Sequence, residues 1–246
     1  MSKKKSTNFR KYVKRFWILA LSGFGSILLI FLLASWGVFG ALPTFEELEN
    51  PQKNLATEVI SADGVTLGKY AYQNRTPVGF KELPDNLVKA LVATEDERFY
   101  EHSGIDFRGL ARAISKMGKD GGASTITQQL AKNLFNKGGS SNTLKRLTQK
   151  VKEWIVAVKL ERQYTKNEII AMYLNTQGFL FNAVGIRSAA RIYFGKEPKD
   201  LDLQESAILV AMLKNPRQYN PHREISKEKS LNRTNVVFAQ MAKNGF

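Results

Sequence analysis

The sequence predicts a mainly α-helical domain that carries a small β-hairpin and follows one N-terminal transmembrane helix. Three observations support this fold class. An apolar stretch without any charged residue runs from residue 16 to residue 44. Short β-branched and aromatic runs flank a turn signal at Ala62-Asp63-Gly64, which is typical of a hairpin. After Pro84, apolar residues recur at spacings of three and four, which indicates helices.

The apolar stretch is long enough to cross a bilayer. At 1.5 Å per residue, roughly two dozen residues from Phe16 to Phe39 span a hydrocarbon core of ~30 Å. Trp17 and Trp36 lie near its two ends, where aromatic rings favour the membrane interface. Lysines and arginines without any acid precede the stretch, which predicts a cytoplasmic N-terminus and an external domain. The chain therefore divides into a basic cytoplasmic tail (1–15), a transmembrane helix (16–41), a linker (42–56) and a folded domain (57–246).

Composition excludes several kinds of site. The chain of 246 residues has no cysteine, so disulfides, zinc–thiolate sites and thiol catalysis are excluded. Its two histidines, His102 and His222, are too few for a multi-histidine metal site. The net charge of +15 at pH 7 predicts an anionic partner, which is membrane lipid, phosphate or nucleic acid. The external position of the domain argues against nucleic acid.

Capping signals and periodicity indicate the helices of the domain. Thr165 with Glu168, and Asp202 with Glu205, have the spacing of a capping box before apolar runs. The stretch 143–164 predicts a helix with one buried stripe, formed by Leu144, Leu147, Val151, Trp154 and Val158. A shorter apolar stripe with basic neighbours fits either the core or a segment at the membrane interface; its members are Phe107, Leu110, Ala111 and Ile114.

Four acids within seven residues follow the apolar helix that starts after Pro84, and they are Glu95, Asp96, Glu97 and Glu101. Composition alone is compatible with a solvated helix end. Acids at a helix C-terminus oppose the macrodipole, however, so helix stability does not explain them. Phe99 and Tyr100 are able to desolvate one of the carboxylates and suit it to general-base catalysis.

A glycine pair followed by Ser124 and Thr125 opens the next predicted helix. Free backbone N–H groups and hydroxyls at such a terminus suit an anion or a sugar. Gln128 and Lys132 are four residues apart, so an amide and a cation share one helix face. A capped helix alone accounts for Ser124, but it does not account for two adjacent glutamines and a lysine on the same short helix.

These two stretches, 95–104 and 122–133, resemble the first two motifs of the peptidoglycan glycosyltransferases. That family includes the N-terminal domain of class A penicillin-binding proteins and the monofunctional transglycosylases. Three further motifs follow in order. Residues 150–153 are similar to the third motif, although Gln149 stands in the position of its arginine. Residues 173–195 are similar to the fourth motif, and residues 203–221 are similar to the fifth. The resemblance covers residues 57–246 and implies a lysozyme-like helical glycosyltransferase domain. No transpeptidase motif set is found, so the chain is expected to be either monofunctional or a truncated bifunctional protein, and the likeness to class A sequences favours the second.

The resemblance implies that the chain polymerises lipid II into β-1,4 glycan strands, with inversion and release of polyprenyl diphosphate. It makes Glu95 the general base and Lys132 the cation that stabilises the diphosphate. It makes Glu153 the second catalytic carboxylate, which orients that lysine or a divalent cation, Mg²⁺ or Mn²⁺, bridging the diphosphate. Substrate-binding or supporting roles are implied for Ser124, Thr125, Gln128, Gln129, Lys150, Asp96 and His102. Neither an organic cofactor nor a metal site built from the chain's own residues is implied.

The implied location is the bacterial inner (cytoplasmic) membrane, with a single span and an external catalytic domain. The implied partners are lipid II, the growing glycan strand, membrane lipid and other cell-wall synthesis proteins, but no nucleic acid. Two alternatives remain. A lysozyme-like lytic transglycosylase or hydrolase needs a catalytic acid but no phosphate-binding cation. An inactive membrane-anchored cell-wall binding module is the second alternative, because residues 178–185 depart from the family's fourth motif by added apolar residues.

Overall fold

The computed structural model describes residues 9–40, 42, 57–63, 66–70, 77–116, 122–135 and 142–246. In these residues the chain forms nine α-helices and one two-stranded sheet, so the predicted mainly helical class is confirmed. The elements are α1 (Phe9–Ser35), β1 (Thr57–Ile60), β2 (Thr66–Tyr70), α2 (Asp85–Glu95), α3 (Phe107–Ser115), α4 (Ile126–Phe135), α5 (Thr143–Gln163), α6 (Lys166–Thr176), α7 (Ile186–Phe194), α8 (Leu203–Lys214) and α9 (Glu224–Lys243). Except for Leu42, the predicted linker lies outside the described residues, and so do residues 1–8 of the predicted tail.

The N-terminal helix α1 is long and apolar enough to cross a membrane, by length and composition. It begins at Phe9 and not at residue 16, because lysine and arginine favour helix and do not end it. It ends at Ser35, before Gly37 and Gly40 adopt φ angles of 78° and 103°. Its C-terminal end packs against α5. The helix that the sequence predicts as the membrane anchor is therefore in direct contact with the folded domain.

The hairpin is confirmed. Strand β1 pairs antiparallel with β2, and Thr57 lies opposite Tyr70. The register shifts between Val59 and Ile60, which is the irregularity that a bulge introduces. Residues 64 and 65, which include the glycine of the predicted turn, lie outside the described residues.

The domain core is built from two groups of helices. Helix α2 packs against α8 and α9, whereas α4 packs against α5 and α6. Both groups contribute to one apolar core, in which the side chains of Leu91, Leu130, Ile169 and Leu209 have no exposed surface. The first turns of α6 and α8 carry the predicted capping boxes at Thr165 and Asp202.

The predicted buried stripe on α5 is wrong for the first two turns of that helix. Leu144 and Leu147 are 73% and 54% exposed, whereas Val151 is buried. The ring of Trp154 packs against Phe31 of α1, with 6.1 Å between the centroids. Periodicity identifies the apolar face of a helix, but the elements packed against the helix determine how much of that face is buried.

The apolar stripe on α3 does not belong to the core. Phe107 and Ile114 are 69% and 71% exposed, and Gly109 is the buried residue of this helix. Of the two sequence-based interpretations of this segment, the structure excludes the core.

Candidate active site

A cleft of about 620 Å³ opens where α2, α3, α4, α8 and α9 approach one another. Six of the ten predicted site residues line it, namely Glu95, Asp96, Ser124, Thr125, Gln129 and Lys132. The other four, Gln128, His102, Lys150 and Glu153, are not among the residues that line it. The predicted general base and the predicted diphosphate-binding cation therefore share one cleft.

Glu95 is the last residue of α2, and its carboxylate is held from one side. The side-chain amide of Gln129 donates from Nε2 to Glu95 Oε2 over 2.9 Å. The hydroxyl of Tyr173 donates in turn to Gln129 Oε1 over 3.0 Å. Burial, together with the charge of Glu95, raises the pKa of Tyr173 well above its ordinary value. The sequence indicates of Tyr173 only that it begins the stretch similar to the fourth motif, which is the signal that could have identified this link.

Asp96 points inward, and it supports the site. Its carboxylate accepts the backbone N–H of Ile126 over 2.9 Å and lies 3.0 Å from His102 Nε2. Because the N–H of Gly104 donates to Nδ1 of His102, the ring proton belongs on Nε2 and is donated to Asp96. This pair ties the loop after Glu95 to the first residue of α4. Asp96 and His102 thus make contacts that support this loop, and the substrate-binding roles implied for them stay predictions.

Thr125 and Gln128 hold the same loop from α4. The Thr125 hydroxyl donates to the carbonyl of Gly104 over 2.8 Å and accepts the N–H of Gln128 over 3.1 Å, so Thr125 caps the helix. The Gln128 amide donates to the same carbonyl over 3.1 Å, and its side chain is buried. Gln128 does not line the cleft, because the packing of α4 turns this amide into the protein, and the substrate-binding role implied for it stays a prediction. The anion site expected at this helix end is also not free, since Asp96 occupies the first N–H group.

The third-motif residues lie behind the cleft wall. Lys150 Nζ donates to the hydroxyl of Ser124 over 2.9 Å and lies 3.2 Å from Glu153 Oε2. This chain of contacts connects α5 to a side chain that lines the cleft. Lys132, by contrast, is exposed in the cleft and forms no ion pair with any of the described residues.

Sequence reasoning missed a second basic wall of the cleft. It is formed by Arg98, Arg112, Lys214, Arg233 and Lys243, from the loop after α2 and from α3, α8 and α9. On α9 the cleft-lining residues recur at spacings of three and four, as Arg233, Val236, Gln240 and Lys243. This spacing is the signal that could have identified the face.

Glu97 neutralises part of the basic wall. It accepts from Arg98 over 2.6 Å, from Arg112 over 3.0 Å and from Lys243 over 3.1 Å. Burial alone would raise the pKa of Glu97, but hydrogen bonds from Lys243 and Arg98 outweigh it and hold this pKa below its ordinary value. Burial alone would also raise the pKa of Asp106, but hydrogen bonds from Arg98 and from the backbone N–H of Gly109 outweigh it and lower this pKa.

The described residues contain no group of three or more His, Asp or Glu side chains that could hold a metal ion. The donor set of this part of the chain therefore does not fit a metal held by protein ligands alone. A divalent cation carried by the diphosphate of the substrate stays a prediction.

The departure from the fourth motif forms a strained turn. Leu180, Phe181 and Asn182 have φ angles of 67°, 49° and 59°, a region that non-glycine residues seldom adopt. The turn is closed by a bridge between Gly178 and Val184. The hydroxyl of Tyr193 donates to the carbonyl of Phe179 over 2.5 Å, and Phe179 is fully buried.

Sequence and structure comparisons identify relatives of this chain. The transglycosylase family matches residues 63–242. Penicillin-binding protein 1A of Escherichia coli is 37% identical over 96% of this chain and 27% of its own length. Penicillin-binding protein 1A of Aquifex aeolicus is 39% identical over 89% of this chain and 29% of its own length. The chain thus spans about a quarter of the length of these curated relatives. A crystal structure of penicillin-binding protein 1A from Haemophilus influenzae aligns with a TM-score of 0.40 and 23% identity, over 77% of this chain and 18% of that one.

Proposed function

We propose that this chain, which belongs to the transglycosylase family, is a peptidoglycan glycosyltransferase that polymerises lipid II into β-1,4 glycan strands. The observation that carries the proposal is the shared cleft of Glu95 and Lys132. One carboxylate oxygen of Glu95 is held by Gln129. The other, Oε1, accepts no hydrogen bond from the described residues and is available to a substrate. The ammonium of Lys132, which pairs with no acid of the described residues, suits an anionic leaving group.

The chemistry balances as one displacement. The 4-hydroxyl oxygen of the acceptor forms a bond to C1 of the donor sugar, and its proton passes to Glu95 Oε1. The bond from C1 to the diphosphate breaks, and its electron pair leaves with the polyprenyl diphosphate. Attack from the face opposite the leaving group inverts an α linkage to β. A positioned base contributes typically 10²–10⁴-fold to such a step.

The leaving diphosphate gathers negative charge as the C1–O bond breaks. Lys132 stabilises this charge, and its contribution grows toward the transition state, which is where electrostatic groups accelerate a reaction. A Mg²⁺ or Mn²⁺ ion on the diphosphate would supply further charge neutralisation. Glu153 and Lys150 support Ser124 on the same wall of the cleft.

Helix α1 places the enzyme next to its lipid-linked substrate. Four cations in its first two turns, Arg10, Lys11, Lys14 and Arg15, favour a cytoplasmic N-terminus. The catalytic domain then lies at the outer face of the bacterial cytoplasmic membrane. The growing glycan strand, membrane lipid and other cell-wall synthesis proteins are its proposed partners.

Incubation with lipid II tests the proposal. We expect the wild-type chain in detergent micelles to form glycan polymer, and Glu95→Gln to lose at least ~10²-fold in rate, because an amide cannot accept the proton. Glu101→Gln is the matched control, since this acid of the same loop is exposed and does not line the cleft. A Glu95→Gln variant that keeps more than about a tenth of the rate would refute the general-base role. Degradation of preformed glycan without polymer formation would instead identify a hydrolase.

A further inference from the structure

Tyr173 has a hydrogen-bonding position that core packing alone does not explain. Its ring is buried in α6, yet its hydroxyl meets the amide of Gln129, which in turn meets Glu95. We propose that Tyr173 is a positioning residue for the general base: acting through Gln129, it holds Oε2 of Glu95 and leaves Oε1 to accept the proton of the acceptor hydroxyl. This inference rests on the proposed function.

The direction of the hydrogen bonds follows from the chemistry of the three groups. An ionised carboxylate only accepts hydrogen bonds, so Gln129 must present its NH₂ group to Glu95. The amide oxygen is then turned toward Tyr173, whose hydroxyl must be the donor. The raised pKa of Tyr173, caused by burial and by the nearby carboxylate, keeps the hydroxyl protonated and able to donate. One buried hydroxyl therefore determines which way the amide faces.

The same arrangement holds before and after proton transfer. When Oε1 of Glu95 receives the proton, Oε2 still accepts from Gln129, so nothing in the chain of hydrogen bonds has to reorganise. A group that is already oriented for the transition state lowers the barrier without a reorganisation cost during the reaction. Glu95 accepts the proton on Oε1 because its Oε2 already accepts a hydrogen bond from Gln129.

The three residues come from three different helices. Glu95 ends α2, Gln129 lies in α4 and Tyr173 lies in α6. Helices α4 and α6 pack on each other, whereas α2 packs with α8 and α9. The hydrogen bonds therefore place the base relative to the wall of the cleft that carries Lys132, which is also on α4.

Tyr173→Phe tests the inference, because phenylalanine keeps the buried ring and removes only the hydroxyl. We expect kcat for lipid II polymerisation to fall about tenfold, since small misplacements of a catalytic group lower the rate strongly. We expect KM to stay within about twofold, because Tyr173 does not line the cleft.

Tyr193→Phe is the matched control. It removes a hydroxyl that donates to Phe179 over 2.5 Å and accepts from Asn220 over 2.8 Å. It should lower the melting temperature comparably and leave kcat close to wild type. An equal kcat in the two variants would overturn the inference.

A double-mutant cycle separates positioning from structural support. Gln129→Met removes the amide through which Tyr173 is proposed to act. In that background, Tyr173→Phe should lower kcat by less than about twofold, because groups that act as a unit are not additive. A full, independent tenfold loss of kcat in that background would overturn the inference.

The wild-type chain distinguishes failure of the inference from failure of the proposed function. If the wild type forms no polymer, both are overturned. If the wild type is active and Tyr173→Phe has the same kcat, only the inference is overturned.

Discussion

At the scale of single residues, the cleft contains some groups that bind protein partners and others that bind none among the described residues. The Asp96 carboxylate and the Thr125 hydroxyl are occupied by protein partners. Lys132 is exposed in the cleft and is unpaired among the described residues. A cation that has no counterion among the described residues, in the same cleft as Glu95, has no evident structural task. It is therefore the residue whose loss should affect turnover and leave stability unchanged.

We expect Lys132→Ala to lower the polymerisation rate by roughly 10²-fold or more, the usual cost of losing one preorganised electrostatic stabiliser. Lys132→Arg should restore only part of the rate, because a planar guanidinium does not replace a compact ammonium. The free energy of unfolding should change by less than about 0.5 kcal/mol, as for other surface substitutions. The rate and the melting temperature of one preparation check this, with Lys227→Ala, an exposed lysine of α9, as control. An unchanged rate would end the diphosphate role.

At the scale of helices, one lysine joins the end of α5, the start of α6 and the loop after Glu95. Lys166 Nζ lies 2.8 Å from Glu161 and donates to the carbonyl of His102 over 2.6 Å. It also lies 4.3 Å from the centroid of the buried Phe99 ring. Thr127 of α4 donates to Glu161 over 2.5 Å. The ion pair thus holds in place the loop that carries Asp96 and His102.

Lys166→Met should lower the free energy of unfolding by about 3 kcal/mol, because removing one partner leaves Glu161 buried without its counterion. The Glu161 side chain is only 4% exposed. Lys89→Met removes an ion pair with Asp85 whose side chains are 40% and 74% exposed, and it should cost less than about 1 kcal/mol. Urea unfolding of the two variants makes the comparison. Equal losses would show that the pair at Lys166 contributes no more than a surface pair.

At the scale of the whole molecule, Glu97 connects parts of the chain that are distant in sequence. Its contacts reach Arg112 of α3 and Lys243 at the end of α9, 146 positions away. Because the pKa of Glu97 is lowered in the folded state, its ionised form stabilises the fold above the ordinary value of 4.5. That contribution disappears as the pH falls through the lowered pKa. The pKa of Asp106 is lowered as well, so acidification also removes the stability that its ionised form contributes.

We therefore expect Glu97→Gln to be less stable than the wild type at neutral pH and to lose less stability on acidification. The two free energies of unfolding should converge as the pH falls below 4.5, because the wild-type carboxylate is then protonated. Glu228→Gln, an exposed acid on α9, should follow the wild-type curve. Parallel curves for Glu97→Gln and the wild type would contradict the assignment. Urea titrations across this pH range measure the difference.

The features that could be predicted from the sequence are those that depend on neighbouring residues. The N-terminal apolar helix, the hairpin and the capping boxes at Thr165 and Asp202 are encoded in stretches shorter than 30 residues. The motif resemblance added the family and placed Glu95 and Lys132, which share the cleft. Local propensity and spacing suffice for these features because the interactions that form them lie along a single segment.

Only the tertiary structure decided which faces are covered and which polar groups meet. Periodicity predicted Leu144 and Leu147 as buried, and both are exposed. Helix geometry placed Gln128 and Lys132 on one face, but packing turned the amide inward and left the ammonium in the cleft. Tyr173 and Gln129 are 44 positions apart, and no local pattern signals their contact. Burial and hydrogen-bond partners depend on the helix that lies opposite, and that is set by the packing of the whole core.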